Sequence, residues 1–193
     1  MNIGLYGGTF DPIHCAHLII AQFIKEELNL SKIIFSPSGN PPHKQVFGPA
    51  HLRLKMVQLS IVDNSDFECS MIEINKPDKS YSVDTIAQIK NDFNLTKENL
   101  FFIIGSDNFI ELPKWKKPDK IFQMCKVVVF PRNKVDFELT PPEFRKQAIH
   151  LKNAPIIEIS STQIRSLIKR NRSIRYLVPS AVEKLIHSQK LYG

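Results

Sequence analysis

His14 and His17 lie three residues apart, directly after Gly7-Gly8-Thr9-Phe10-Asp11-Pro12-Ile13. On a helix that spacing puts both imidazoles on one face, close to the first turn. The run Ile3 to Tyr6 before them is apolar and reads as a strand. The run Leu18 to Leu28 after them repeats its apolar residues at helical spacing. Strand, glycine turn, helix is an arrangement that builds an anion site. Glycines can take backbone angles closed to other residues and let a ligand approach the main chain, while the first amides of the helix and the positive end of its dipole face whatever sits there. Phosphate is the expected guest. Capping or solvation is the better account of a lone histidine, but a pair at this spacing behind Gly-Gly-Thr favours anion chemistry. Zinc is the other chemistry open to two histidines, yet no third ligand lies at zinc spacing nearby.

A second anion-binding pattern stands near the other end of the chain. Ser160-Ser161-Thr162-Gln163-Ile164-Arg165 follows the apolar Ile156 to Ile159 and opens a helix. Hydroxyls beside open amides suit a phosphate, and Arg165, one turn in, adds charge. A well-capped helix carrying a surface arginine is the plainer account of the same residues. Between these patterns lie Lys44, after the stiff Pro41-Pro42-His43 loop; Ser80 and Ser82, either of which could cap a helix; and Asp107, which follows Gly105 at the end of a strand. Trp115, the one tryptophan, sits among lysines in a Pro-containing loop. It either covers a core edge or offers a stacking face to a flat heteroaromatic ring.

The elements that must carry these residues alternate. Lys32 to Pro37 reads as a second strand and Pro49 to Val62 as a helix whose buried stripe holds Leu52, Met56, Leu59 and Ile61 or Val62, with Arg53 at its edge as a surface or strut residue. Phe67 to Ser70 is a third strand. The segment entered at Ser80 is a helix with Ile86, Ile89 and Phe93 on one side. Leu100 to Ile104 is a central strand and Lys126 to Phe130 another; Thr140 to His150 reads as a surface helix, Ile156 to Ile159 as the last strand, and Pro179 to Gln189 as a short amphipathic helix. Strand, crossover helix and strand within about 35 residues imply right-handed βαβ units. The expected fold is a single α/β domain over residues 1–193, Rossmann-like and doubly wound, with a mainly parallel sheet and helices on both faces. Ligands then gather at the carboxyl ends of the strands.

Gly-Gly-Thr-Phe-Asp-Pro-Ile-His-x-x-His resembles the signature of the nucleotidyltransferase superfamily, and Ile159 to Arg165 resembles its Ile-Ser-Ser-Thr-x-Ile-Arg motif. Over nearly the whole chain the match resembles the bacterial nicotinate-nucleotide adenylyltransferase family. The resemblance implies adenylyl transfer from ATP, as its Mg2+ complex, to nicotinate mononucleotide. It implies catalytic roles for His14, His17, Lys44 and Arg165. It places ATP against Gly7, Gly8, Thr9, Phe10, Gly105, Asp107, Ile159, Ser160, Ser161 and Thr162, and the mononucleotide against Asp11, Lys44, Ser82, Thr85, Trp115 and Arg132. The chain departs from the family pattern at Ala16, where Gly is usual, at Ser82, where Thr is usual, and at Asn133, where Arg132 is not followed by Pro-Gly. Another phosphate acceptor, such as nicotinamide mononucleotide or phosphopantetheine, remains open, as does a basic RNA-binding domain.

Composition sets the outer bounds. The 193 residues are 42% hydrophobic and 23% charged, as in an ordinary globular protein with one sizeable core. A net charge of +7 suits polyanionic partners, but the basic residues are scattered rather than blocked, which argues against nucleic acid. Cys15, Cys69 and Cys125 are far apart and form no CxxC. No apolar run approaches a membrane span, so a cytoplasmic enzyme, monomeric or homo-oligomeric, is expected.

Overall fold

The computed structural model describes residues 1–42, 44–76, 78–132 and 136–193. Its centre is a six-stranded sheet in the order β3-β2-β1-β4-β5-β6, with every neighbouring pair parallel. The strands are β1 (Ile3–Gly8), β2 (Lys32–Pro37), β3 (Phe67–Cys69), β4 (Leu100–Gly105), β5 (Lys126–Phe130) and β6 (Ala148–His150). The helices are α1 (Cys15–Glu27), α2 (Ala50–Ile61), α3 (Ser82–Asp92), α4 (Ser106–Glu111), α5 (Pro118–Met124), α6 (Pro142–Arg145), α7 (Ser161–Lys169) and α8 (Ser180–Ser188).

Alternation along the strands divides the core. Tyr6, Ile33, Phe35, Ile103 and Val128 point to one face and meet Ile20 and Ile24 of α1, Met56 of α2, Ile164 of α7 and Val182 of α8. Ile3, Leu5, Ile34, Phe102 and Val127 point to the other and meet Ile86 and Ile89 of α3, Phe109 of α4 and Ile121 of α5. A parallel sheet covered on both faces needs such near-continuous apolar strands, and β4 is buried along its whole length. The expected Rossmann-like, doubly wound architecture is therefore present. The order reverses between β1 and β4, which places the ligand crevice outside the carboxyl ends of these two strands.

Several elements differ from expectation. Residues 156–159 have no regular secondary structure and join no sheet; the edge position is taken by β6, which pairs with β5 from Val127 opposite Ala148 to Val129 opposite His150. Residues 140–150, expected as one surface helix, hold the four-residue α6 and then β6, whose three half-buried residues are too few to show a strand period. In α2 the buried residues are Arg53, Met56, Val57 and Ile61, while Leu52 and Leu59 are only half-buried.

Of the two readings open for Arg53, surface or strut, the structure shows the strut, fully inside rather than at the edge of the face, with only 1% of it exposed. Its guanidinium donates to the carbonyls of Thr9 at 2.7 Å, Ser38 at 2.6 Å, Gly39 at 3.0 Å and Gly48 at 3.0 Å. It thus joins the loop after β1 to the loop after β2 and to the entry of α2. A planar fork of five donors suits this task, and a lysine could not reproduce it. Arg53→Met, which keeps the apolar stem and leaves these carbonyls without their donor, is expected to lower stability by about 3 kcal/mol in urea unfolding.

Candidate functional site

β1 ends in Gly7-Gly8, and neither glycine has a positive φ; the left-handed residue is Phe10, at φ 47°. Gly8 is there for room instead. A Cβ at Gly8 would stand 3.0 Å from the Phe10 ring, and both glycines, with Thr9, line a cavity of about 390 Å³. Phe10 itself is core, 1% exposed, and presents its ring edge to His17 at 5.0 Å between centroids.

His14 is the N-cap of α1, and His17 lies in its first turn. The rings stack at 3.6 Å with 21° between planes, and the backbone amide of His14 donates to Nδ1 of His17 at 3.2 Å. Both side chains are buried. Neither ring nitrogen of His14 has a hydrogen-bond partner among the described residues. Burial, reinforced by the nearby charge of Arg132, pulls His14 down from an ordinary pKa of 6.5 to about 3. Burial acts on His17 in the same direction, helped by His14, Arg132 and Lys44. The pair is therefore neutral at pH 7, and an arriving anion would reverse part of that penalty. The first amide of α1 is not open as the sequence suggested, because Cys15 N donates to Leu177 O at 2.9 Å. The anion-facing groups here are the histidine rings and their basic neighbours.

Arg132 is the chief neighbour. It follows β5, and Ser106 at the start of α4 grips it in both directions: Arg132 N donates to Ser106 Oγ at 2.9 Å, and that hydroxyl donates back to Arg132 O at 3.1 Å. Its Nη1 lies 4.0 Å from Asp107 Oδ2. A Cβ at Gly105 would stand 2.6 Å from Asp107 Oδ1 and 2.8 Å from Arg132 Cδ, so only glycine permits this approach. Arg132, His14, His17, Ala16 and Ile159 wall a narrow cleft of about 20 Å³. Arg132, expected beside a mononucleotide, thus stands with the histidines.

The larger cavity lies beside that cleft, between the ends of β1 and β2 and the start of α3. Trp115 closes one side, edge-on to Phe102 at 6.4 Å. The loop carrying Trp115 is tied to α3 by Lys116, whose Nζ bonds to Asp84 at 2.9 Å and lies 4.4 Å from the Tyr81 ring centre. Lys44 reaches across the mouth to Asn108 Oδ1 at 3.0 Å, and burial lowers its pKa. Ser82 and Thr85 line the wall. Neither Ser80 nor Ser82 caps α3, whose N-cap is Tyr81; the amides of Asp84 and Thr85 bond to Tyr81 O, and those of Ser82 and Val83 have no acceptor within the helix.

The Asp11 and Arg165 placements differ from the expected substrate contacts. The Asp11 carboxylate, on a residue 2% exposed, accepts from Phe47 N at 2.7 Å, Gly48 N at 3.0 Å and Tyr192 Oη at 2.6 Å. It is a brace and does not line the cavity. Arg165 donates to Asp11 O at 2.7 Å and to Thr162 Oγ1 at 3.2 Å, and it stacks over Phe47. Ser160 caps α7 by accepting from Gln163 N, while Ser161 donates to Pro12 O at 2.9 Å. The two phosphate-type motifs are thus brought together, and in this structure the second secures the loop that holds the first. His43, Asn133 and Lys134 lie outside the described residues. The sequence does not single out Glu73, a buried acid on the cavity wall: Met71 to Asn75 reads as an extended, partly alternating stretch, whereas residues 72–75 form a turn closed by Asn75 N donating to Met71 O at 3.0 Å.

A 3-2-1-4-5-6 parallel sheet with a stacked His-x-x-His pair at its switch point defines a nucleotidyl-transfer class of α/β protein, and the profile of the cytidylyltransferase-like family matches residues 5–167. A probable nicotinate-nucleotide adenylyltransferase of Caldicellulosiruptor saccharolyticus is 40% identical over 199 residues, spanning 100% of this chain and 99% of that protein. One from Exiguobacterium sibiricum is 40% identical over 194 residues, covering 100% of both. The chain belongs to the nicotinate-nucleotide adenylyltransferase family. Among solved structures, the Plasmodium falciparum nicotinic acid mononucleotide adenylyltransferase complexed with NaAD superposes with a TM-score of 0.78 at 20% identity, over 99% of this chain and 97% of that one.

The neutral histidines have a consequence for stability. Unfolded, His14 takes up a proton near pH 6.5, whereas folded it resists until about pH 3, so stability is full above 6.5 and falls as pH drops through that window. Relative to the wild type, His14→Asn is expected to lose about 2 kcal/mol less stability between pH 7 and pH 5 in urea titrations.

Proposed function

We propose that this chain transfers the adenylyl group of ATP to nicotinate mononucleotide, releasing pyrophosphate and forming deamido-NAD. The observation that carries the reading is the division of the switch-point crevice into two neighbouring parts. One is a basic, histidine-lined cleft suited to the ATP phosphates. The other is a cavity of about 390 Å³ with Trp115 as one wall and the first turn of α3 as another, suited to a flat pyridine ring and its carboxylate. The relatives' names agree with this acceptor.

In the reaction a 5′-phosphate oxygen of the mononucleotide forms a bond to the α-phosphorus of ATP, and the bond from that phosphorus to the bridging β-oxygen breaks. A phosphate nucleophile is already ionised at neutral pH, so no strong base is required. Catalysis then consists of positioning and of neutralising charge that grows on the α- and β-phosphates. His14 and His17 donate N–H groups from a dry wall, Arg132 and Lys44 supply positive charge from either side, and Arg165 keeps the Asp11-Pro12 turn in place. Magnesium would enter with ATP. Among the described residues no cluster of three or more His, Cys, Asp or Glu could hold a metal ion, and Mg2+ commonly rests on substrate phosphates plus one or two carboxylates. Asp107, beside Arg132, would be the carboxylate to meet it. The free thiols of Cys15, Cys69 and Cys125 suit the reducing cytoplasm.

Pyrophosphate release from MgATP, followed with nicotinate and nicotinamide mononucleotides in parallel, tests the reading. Preference for the acid supports it; release with neither discards the acceptor. His17→Ala is expected to lower turnover by more than about a hundredfold, or about 3 kcal/mol in the barrier, with an unchanged circular dichroism spectrum. For Trp115→Ala the expected result is a raised KM for the mononucleotide and an unaltered KM for ATP; equal effects on both would remove Trp115 from the ring site.

A further inference from the structure

Glu73 is a buried acid that the adenylyl-transfer chemistry does not employ. It is 6% exposed and stands in the turn between β3 and α3, on the wall of the larger cavity. Thr85 Oγ1, in the first turns of α3, donates to Glu73 Oε1 at 2.8 Å, and Ser36 Oγ, at the end of β2, approaches the same oxygen at 3.5 Å. Ser36 and Thr85 are themselves buried, at 0% and 3% exposure, and both line the cavity. The backbone here is equally tight: a Cβ at Gly39 would fall 2.0 Å from Glu73 O. One side chain therefore reaches along the wall of the cavity from the end of the sheet to the helix whose first amides, without an acceptor within the helix, would meet the proposed pyridine carboxylate.

We propose that Glu73 is a positioning residue of the mononucleotide compartment, holding the first turn of α3 against β2 by accepting the Thr85 and Ser36 hydroxyls. This rests on the functional reading above. A Thr hydroxyl has one proton. With that proton directed at Glu73, the Thr85 side chain is fixed in rotation and the adjoining amides of Ser82 and Val83 keep a set direction. Without an acceptor there, the Thr85 hydroxyl is left with Tyr81 O, 3.4 Å away within the same helix, and the α3 wall loses its brace to the sheet. The acceptor oxygen is what the arrangement uses, not the negative charge. Burial already pushes the Glu73 carboxyl upward, against the pull of the Thr85, Ser80 and Ser36 hydroxyls and of the Lys76 charge, and the groups that donate to its oxygen are neutral hydroxyls.

The test reads binding directly, through the fluorescence of Trp115, the one tryptophan of the chain and a wall of the same cavity. The full-length protein is titrated with nicotinate mononucleotide, and KM for MgATP is measured alongside. Glu73→Met, which keeps the volume and removes the acceptor, is expected to weaken mononucleotide binding by about tenfold or more. KM for MgATP should stay within about twofold of the wild type. Glu73→Gln retains an acceptor oxygen and is expected to stay within about threefold of the wild-type affinity. Thr85→Val removes the same bond from its other partner and should reproduce the Met result, which carries the test if Glu73→Met does not fold. Wild-type mononucleotide affinity in Glu73→Met and Thr85→Val overturns the proposal. So does parallel loss of mononucleotide and ATP binding, or a Gln variant as impaired as Met. A wild-type chain whose Trp115 ignores the mononucleotide, and which releases no pyrophosphate with it, overturns the functional reading itself, and is recognised before any variant is made.

Discussion

Two ionisable side chains almost removed from water, Asp11 at 2% and Arg53 at 1% exposure, hold together the edge of the sheet where the crevice opens. Asp11 accepts from two amides and a phenol, and Arg53 donates to four carbonyls. Buried charges are tolerated only when their hydrogen bonds are filled, and here each group fills its own by tying down loops. The loops after β1 and β2, the entry to α2 and the stretch around Tyr192 all converge on these two residues. The histidines and the cavity rim are set on that frame, so the site's geometry derives from a polar knot buried beneath it. The flexibility expected of loops is removed where the substrate must be placed to within a fraction of an ångström.

Above this frame the electrostatics are arranged for anions. His14 and His17 are neutral because they are dry, and Arg132 and Lys44 add to the depression of His17. A wall of polarised N–H groups flanked by fixed cations can stabilise charge as it develops, without reorganising at that moment. Ser106 contributes indirectly: its two-way bond to the Arg132 backbone fixes the cation at the end of β5.

Legibility in the sequence followed physical cause. Strands at the sheet centre were plain, since burial on both faces leaves a continuous apolar run such as Leu100 to Ile104. Edge elements were not. Residues 148–150 are too few to show a period, while Ile156 to Ile159 look strand-like because Ile157 and Ile159 alternate toward the histidine cleft without any ladder. The His-x-x-His spacing and the Ser-Ser-Thr helix start could be recognised as short motifs, and the structure brings them together. Residues that act as braces could not be distinguished from residues that could bind. Asp11 and Arg165 have the chemistry of ligand-binding groups, and only the fold shows that backbone amides, a carbonyl and a tyrosine engage them. Arg53 and Glu73 have charges that composition assigns to the surface, and nothing local reveals partners gathered from several separate loops.

The bond from Arg165 to the carbonyl of Asp11 spans 154 positions of the chain, and that from Ser161 to Pro12 spans 149. A polypeptide is made in order, at roughly 5 to 20 residues per second. The Gly-Gly-Thr turn and its histidines therefore leave the ribosome roughly 8 to 30 s before the groups that secure them exist. During that interval β1, α1 and β2 can pair and bury their apolar faces, but the nucleotide-binding edge has no way to close. A nascent chain of this enzyme is thus committed to its sheet well before it can engage ATP, and chemistry begins only once α7 has been made and docked.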